Sequence, residues 1–151
     1  MHSSKSAALL TKQFWATFGQ YIAPVFSAEG EKINWINYKT AVRFIRFRLQ
    51  ANNNIASVAI ELSNPDINIQ LQQFQQLTMF KKQFQKICGT DWKWQKMIND
   101  GHGKITCTIE VSIGDVSIMN MSQWPQIISF FKPKLISLDT FWCNYKFALQ
   151  N

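Results

Sequence analysis

Four carboxylates come first, because their places in the hydrophobic pattern suit metal chemistry. Glu61, Asp66, Glu110 and Asp115 fall at or just after the ends of strand-like segments. Carboxylates in such places could hold Mg²⁺ for phosphodiester cleavage. Asn64-Pro65-Asp66 matches the first half of a PD-(D/E)xK nuclease motif, but Glu110 is followed by Val111 and Ser112, with no lysine two positions on. A hydrolytic site of that kind needs the cation to help activate water and offset developing charge. The competing reading makes Asp66 a helix cap and Glu61 and Glu110 solvent-facing strand residues. On that reading there are no catalytic residues; a metal-dependent nuclease using Glu61, Asp66 and Glu110 is the alternative.

Other enzyme chemistries find less support. His102 lies between two glycines in a turn, with no serine or cysteine at a recognisable spacing. Cys88, Cys107 and Cys143 are widely spaced, so neither a zinc site nor a disulfide framework is expected. Cys88 and Cys107 sit in apolar patterns and read as buried free thiols, which favours a reducing, cytoplasmic location. No Gly-rich phosphate loop is present, so no cofactor is expected.

The binding chemistry is more extensive. Arg43, Arg46 and Arg48 share an aromatic segment, VRFIRFRLQA, and Lys93 and Lys96 alternate with Trp92 and Trp94. Guanidinium groups pair with phosphates bidentately, and exposed rings stack on unpaired bases. The candidate nucleic-acid contacts are therefore Arg43, Arg46, Arg48, Lys93 and Lys96 for phosphate, with Trp35, Tyr38 and Trp94 as stackers. The competing reading buries the rings and leaves the cations at the periphery, their stems covering apolar surface. A protein-interaction or dimerisation role is the third reading, drawn from the Gln70–Gln76 run and the aromatic C-terminal segment.

These residues must be positioned by the elements around them. The chain has 151 residues, is 46% hydrophobic and 14% aromatic, and carries a net charge of +7, which suits a single domain with an anionic partner such as DNA or RNA. No apolar run approaches the roughly 20 residues of a membrane span, and no leader of signal-peptide type is evident. Residues 1–6 are expected to be flexible or left by an expression vector.

Leu10, Phe14 and Phe18 recur at helical spacing until Pro24. Three strands are expected next, over residues 33–38, 42–51 and 55–62, the last two as a hairpin turning at Asn52-Asn53-Asn54. Alternation puts Arg43, Ile45, Phe47 and Leu49 on one face and Val42, Phe44, Arg46 and Arg48 on the other. A long helix follows Asp66 and stops at Gly89. Strands over 91–98 and 104–112 flank the turn at Asp100-Gly101. A last helix opens near Ser122 with Trp124-Pro125, and a kink or break is expected at Pro133. The expected fold is α+β: an antiparallel sheet of about five strands, helices on one face, in the order α-βββ-α-ββ-α.

Several of these segments together resemble the domain of unknown function 4268 family. The resemblance rests on Phe14-Trp15, the strand ending at Glu61-Leu62, the helix FQQLTMFKKQFQKICG, the Trp92/Trp94 strand start and the helix opening WPQIISFF. It extends from about Phe14 to Phe147. Members of that family occur in bacteria and archaea, and some carry the domain behind a nuclease-like part. The resemblance implies a bacterial protein in a nucleic-acid or defence context, and it carries no set of functional residues.

Overall fold

A computed structural model of the chain describes residues 4–149. Helix α1 (Ser4–Ile22) leads through a long irregular segment to a hairpin of β1 (Ile45–Ala51) and β2 (Ile55–Leu62). Two helices follow, α2 (Ile67–Met79) and α3 (Lys81–Cys88), then a second hairpin of β3 (Lys93–Asn99) and β4 (Ile105–Gly114). A 3₁₀ turn (Met121–Gln123) opens into α4 (Trp124–Tyr145). The fold is α+β, with one four-stranded antiparallel sheet in the order β1-β2-β4-β3.

The expected fifth strand, residues 33–38, is absent. Trp35 there is 2% exposed and donates its indole N–H to the Val25 carbonyl at 3.0 Å, so its segment is anchored as a loop. The expected single helix after Asp66 is two, divided at Phe80. Asp66 does cap α2, accepting from the backbone N–H groups of Asn68 and Ile69. Gly89 ends α3 at φ 101° and ψ 171°, a region open essentially to glycine alone. Helix α4 passes through Pro133 without a break, and Asn120 rather than Ser122 accepts the capping bond before it. Of residues 1–6, Ser4, Lys5 and Ser6 belong to α1, and 1–3 lie outside the described residues.

Strand pairing gives the sheet two unlike faces, because directly opposed residues share a side. Ile45 and Phe47 join Leu62, Ile60 and Val58, then Cys107, Ile109 and Val111, and finally Trp94. Helices cover this apolar face. Phe74 of α2 and Phe84 of α3 meet the Trp94 ring at 6.0 and 5.3 Å, and Trp142 of α4 meets Phe47 at 5.5 Å. Helix α1 packs on α4 through Phe14, Phe18 and Phe131. The opposite face carries Arg46, Arg48, Glu61, Ala59, Ser57, Thr108, Glu110, Lys93 and Gln95. The ring contacts of α2, α3 and α4 all reach the sheet from the apolar side.

Candidate binding surfaces

The polar sheet face holds a chain of four charges. Arg46 Nε donates to Glu61 Oε1 at 2.8 Å, and Arg48 bridges Glu61 Oε2 at 2.5 Å and Glu110 Oε2 at 2.6 Å. Alternation along β1 puts both arginines on this side, and register sets them beside the two glutamates. Glu61 is 6% exposed. Burial alone would raise its carboxyl, but hydrogen bonds and charge from the two arginines outweigh it and hold the group below its usual value. Arg48 Nε and Thr108 Oγ1 are buried without a hydrogen-bond partner among the described residues.

The nuclease trio is thereby divided. Glu61 and Glu110 share Arg48, whereas Asp66 is committed to the start of α2. Among the described residues, no three His, Cys, Asp or Glu side chains group as metal ligands.

The proposed stackers are occupied elsewhere. Trp35 lies in the core. Tyr38 stacks on Phe47 at 4.5 Å and donates its hydroxyl to Asp139 Oδ1 at 2.5 Å. Trp94 packs between Phe74 and Phe84, its indole N–H buried and unpaired among the described residues. Sequence alternation could not show this, because partners of these rings lie in other elements: Val25 for Trp35, Phe47 and Asp139 for Tyr38, and Phe74 and Phe84 for Trp94. The cations are also dispersed. Arg43 precedes β1, outside the strand it was expected to share, and lies over the Phe44 ring at 4.8 Å. Lys93 sits across from Glu110 on the polar face, and Lys96 falls in the register shift of β3 between Gln95 and Ile98, where it has no partner among the described residues of β4.

Tertiary packing brings other cations to the β3 edge. Lys81 of α3 places its Nζ 5.2 Å from the Trp94 ring centre, an attraction between cation and ring that ties α3 to β3. Lys82 and Lys86, one helical turn apart on α3, are exposed, as are Lys93 and Lys96 on β3. Helical periodicity marks Lys81, Lys82 and Lys86 as outward; only the fold brings Lys81 to the Trp94 ring.

Asp139 is the strongest polar feature missed by sequence reading. It is 2% exposed and accepts from Tyr38 Oη and from the Ala28 N–H at 2.6 Å. Burial, then the Asp139 carboxylate, push the Tyr38 phenol far above its usual range. The available signal was a lone acid in phase with Leu135, Leu138 and Trp142 on a core-facing stripe. A cavity of about 370 Å³ adjoins it, lined among others by Glu29, Lys32, Lys39 and Lys146.

Comparison with known proteins agrees with the segments described. The sequence model of the family described as Domain of unknown function (DUF4268) matches residues 10–146. No curated protein and no solved structure matches the chain.

Proposed function

The chain belongs to the DUF4268 family, and we propose that it acts as a non-catalytic binding domain for the backbone of DNA or RNA. The reading rests on one observation. The Lys81–Trp94 contact brings α3, which carries exposed Lys82 and Lys86, against β3, which carries exposed Lys93 and Lys96. A net charge of +7 adds the long-range attraction. Phosphate contacts fit this edge better than the polar sheet face, where Glu61 and Glu110 already occupy Arg46 and Arg48. Base stacking receives no support from Trp35, Tyr38 or Trp94, so recognition would be of backbone rather than sequence.

Binding is favoured over metal-dependent hydrolysis because a cation at Glu61 or Glu110 must compete with guanidinium groups already seated there. The test is titration of labelled single- and double-stranded DNA and RNA across a salt series, with Mg²⁺ present and product length followed. We expect salt-sensitive binding of intact strands. Lys82→Ala/Lys86→Ala and Lys93→Ala/Lys96→Ala should each reduce the logarithmic salt slope, by roughly one for every phosphate that the variant no longer neutralises. An unchanged slope in both double variants would remove this edge from consideration, and cleavage abolished by Glu61→Gln would restore the carboxylates.

A further inference from the structure

Strand β1 forms an outer edge of the sheet, and its outward backbone groups can be identified. Phe44 accepts from the Ser63 N–H, and Asn52 donates to the Ile55 carbonyl, so even-numbered residues of this strand turn their backbone groups toward β2. Ile45, Phe47, Leu49 and Ala51 therefore point theirs away from the sheet. Thr40 Oγ1 donates to the Ile45 carbonyl at 2.6 Å and closes the start of the edge. The N–H and C=O groups of Phe47 and Leu49 have no partner among the described residues.

A groove runs beside them. It has a volume of about 360 Å³ and is walled by Trp15, Ile36 and Tyr38 on the apolar side and by Arg46 and Arg48 on the polar side. The Arg46 side chain is 64% exposed and uses only Nε on Glu61, so its two terminal nitrogens bond to no described residue. Ladder groups, an apolar wall and the two terminal nitrogens of Arg46 that bond to no described residue thus converge on one strip of backbone.

We propose that this edge accepts an extended, acidic segment of a partner protein as a fifth strand. Antiparallel addition would direct the incoming residues opposite Phe47 and Leu49 toward Trp15, Ile36 and Tyr38, and their neighbours toward Arg46 and Arg48. The fitting segment therefore alternates acidic and apolar side chains. A second copy of this chain fits less well: antiparallel pairing of β1 with itself about Phe47 sets Arg46 of one copy against Arg48 of the other, and like charges directly opposed are destabilising. Edge arginines also discourage casual self-pairing, which an acidic strand would not experience. The inference is independent of the lysine edge at β3, on the far side of the sheet.

The experiment uses a fluorescein-labelled, acetylated eight-residue peptide of alternating Glu and Val, with backbone amides of the protein followed by NMR. Expected is saturable binding with shifts centred on the Phe47 and Leu49 amides. Methylating the valine nitrogens leaves the peptide's charge intact but removes its ladder donors, and should weaken binding by roughly tenfold or more. A Lys/Val peptide should not bind. Arg46→Glu should weaken the Glu/Val peptide by about tenfold; Arg46→Ala, which leaves Arg48 on Glu61, serves where Arg46→Glu unfolds the chain. Equal binding of the methylated peptide would show attraction by charge alone and overturn the proposal. So would no binding at millimolar peptide, or a dimer in sedimentation whose Phe47 and Leu49 amides are already protected.

Discussion

Replacing Glu61 by glutamine removes the charge between two arginines and nearly preserves the shape. Breaking a buried ion pair by removing one partner costs about 3–5 kcal/mol. Two features reduce that here. Arg46 is 64% exposed on its side chain and is rehydrated easily, and Arg48 keeps Glu110 at 2.6 Å. We therefore expect a loss of about 2 kcal/mol near neutral pH. With a urea dependence of roughly 2 kcal/mol per molar, the unfolding midpoint should fall by about 1 M, measured by tryptophan fluorescence. The pH dependence supplies an independent readout. The Glu61 carboxyl is held below its unfolded value of 4.5, so between those two values the unfolded chain binds the extra proton. Its contribution is complete above the unfolded value and is lost as pH falls through the folded one. Glu61→Gln should thus destabilise the protein most at neutral pH and flatten the acid limb of its stability profile. A variant as stable as the parent, with the same acid limb, would refute the account of the sheet face.

Gly89→Ala should cost about 1–3 kcal/mol in chemical unfolding; nothing lies within 4 Å of the added Cβ, so the whole loss is backbone strain. Asp139→Ala strands the Ala28 N–H and the Tyr38 hydroxyl, and should lower stability by about 2–3 kcal/mol. In alkaline absorbance titration of the parent, Tyr38 should ionise only as the protein unfolds, since burial and Asp139 both oppose the phenolate. Burial pushes the Cys88 thiol up to about 12 and the Cys143 thiol up to about 11, and raises Cys107 as well. Disulfide reagents at neutral pH should therefore react slowly with the folded protein and quickly with all three thiols once urea is added. Fast labelling of the folded protein would contradict that burial.

Local chemistry made part of this architecture legible. Ile45 and Phe47 alternate with Arg46 and Arg48 along β1, and the structure puts the first pair against helices and the second on the polar face. Asp66 and Gly89 mark helix ends because capping and a positive φ are properties of single residues. Residues 33–38 imitate a strand because Trp35, Ile36 and Tyr38 have strand-like composition. Their contacts lie at Val25, at Gly19 and at Phe47 with Asp139, where no local pattern reaches. Of the candidate surfaces, alternation made the side of Arg46 and Arg48 legible. Their glutamate partners required register, and the meeting of Lys81 with Trp94 required the tertiary fold.

The long segment before β1 is tied to α4 across most of the chain. Ala28 and Tyr38 bond to Asp139, and the Trp142 indole donates to the Thr40 carbonyl at 2.7 Å. During synthesis these donors and acceptors wait for residues made about a hundred positions later. A nascent chain cannot close its first third until α4 has left the ribosome, whereas both hairpins can form from neighbours already made. Until then Phe47 lacks Trp142, and a stretch of sheet core faces water or whatever chaperone meets it there. A nonsense mutation near the C-terminus would therefore release a chain whose defect begins at its other end.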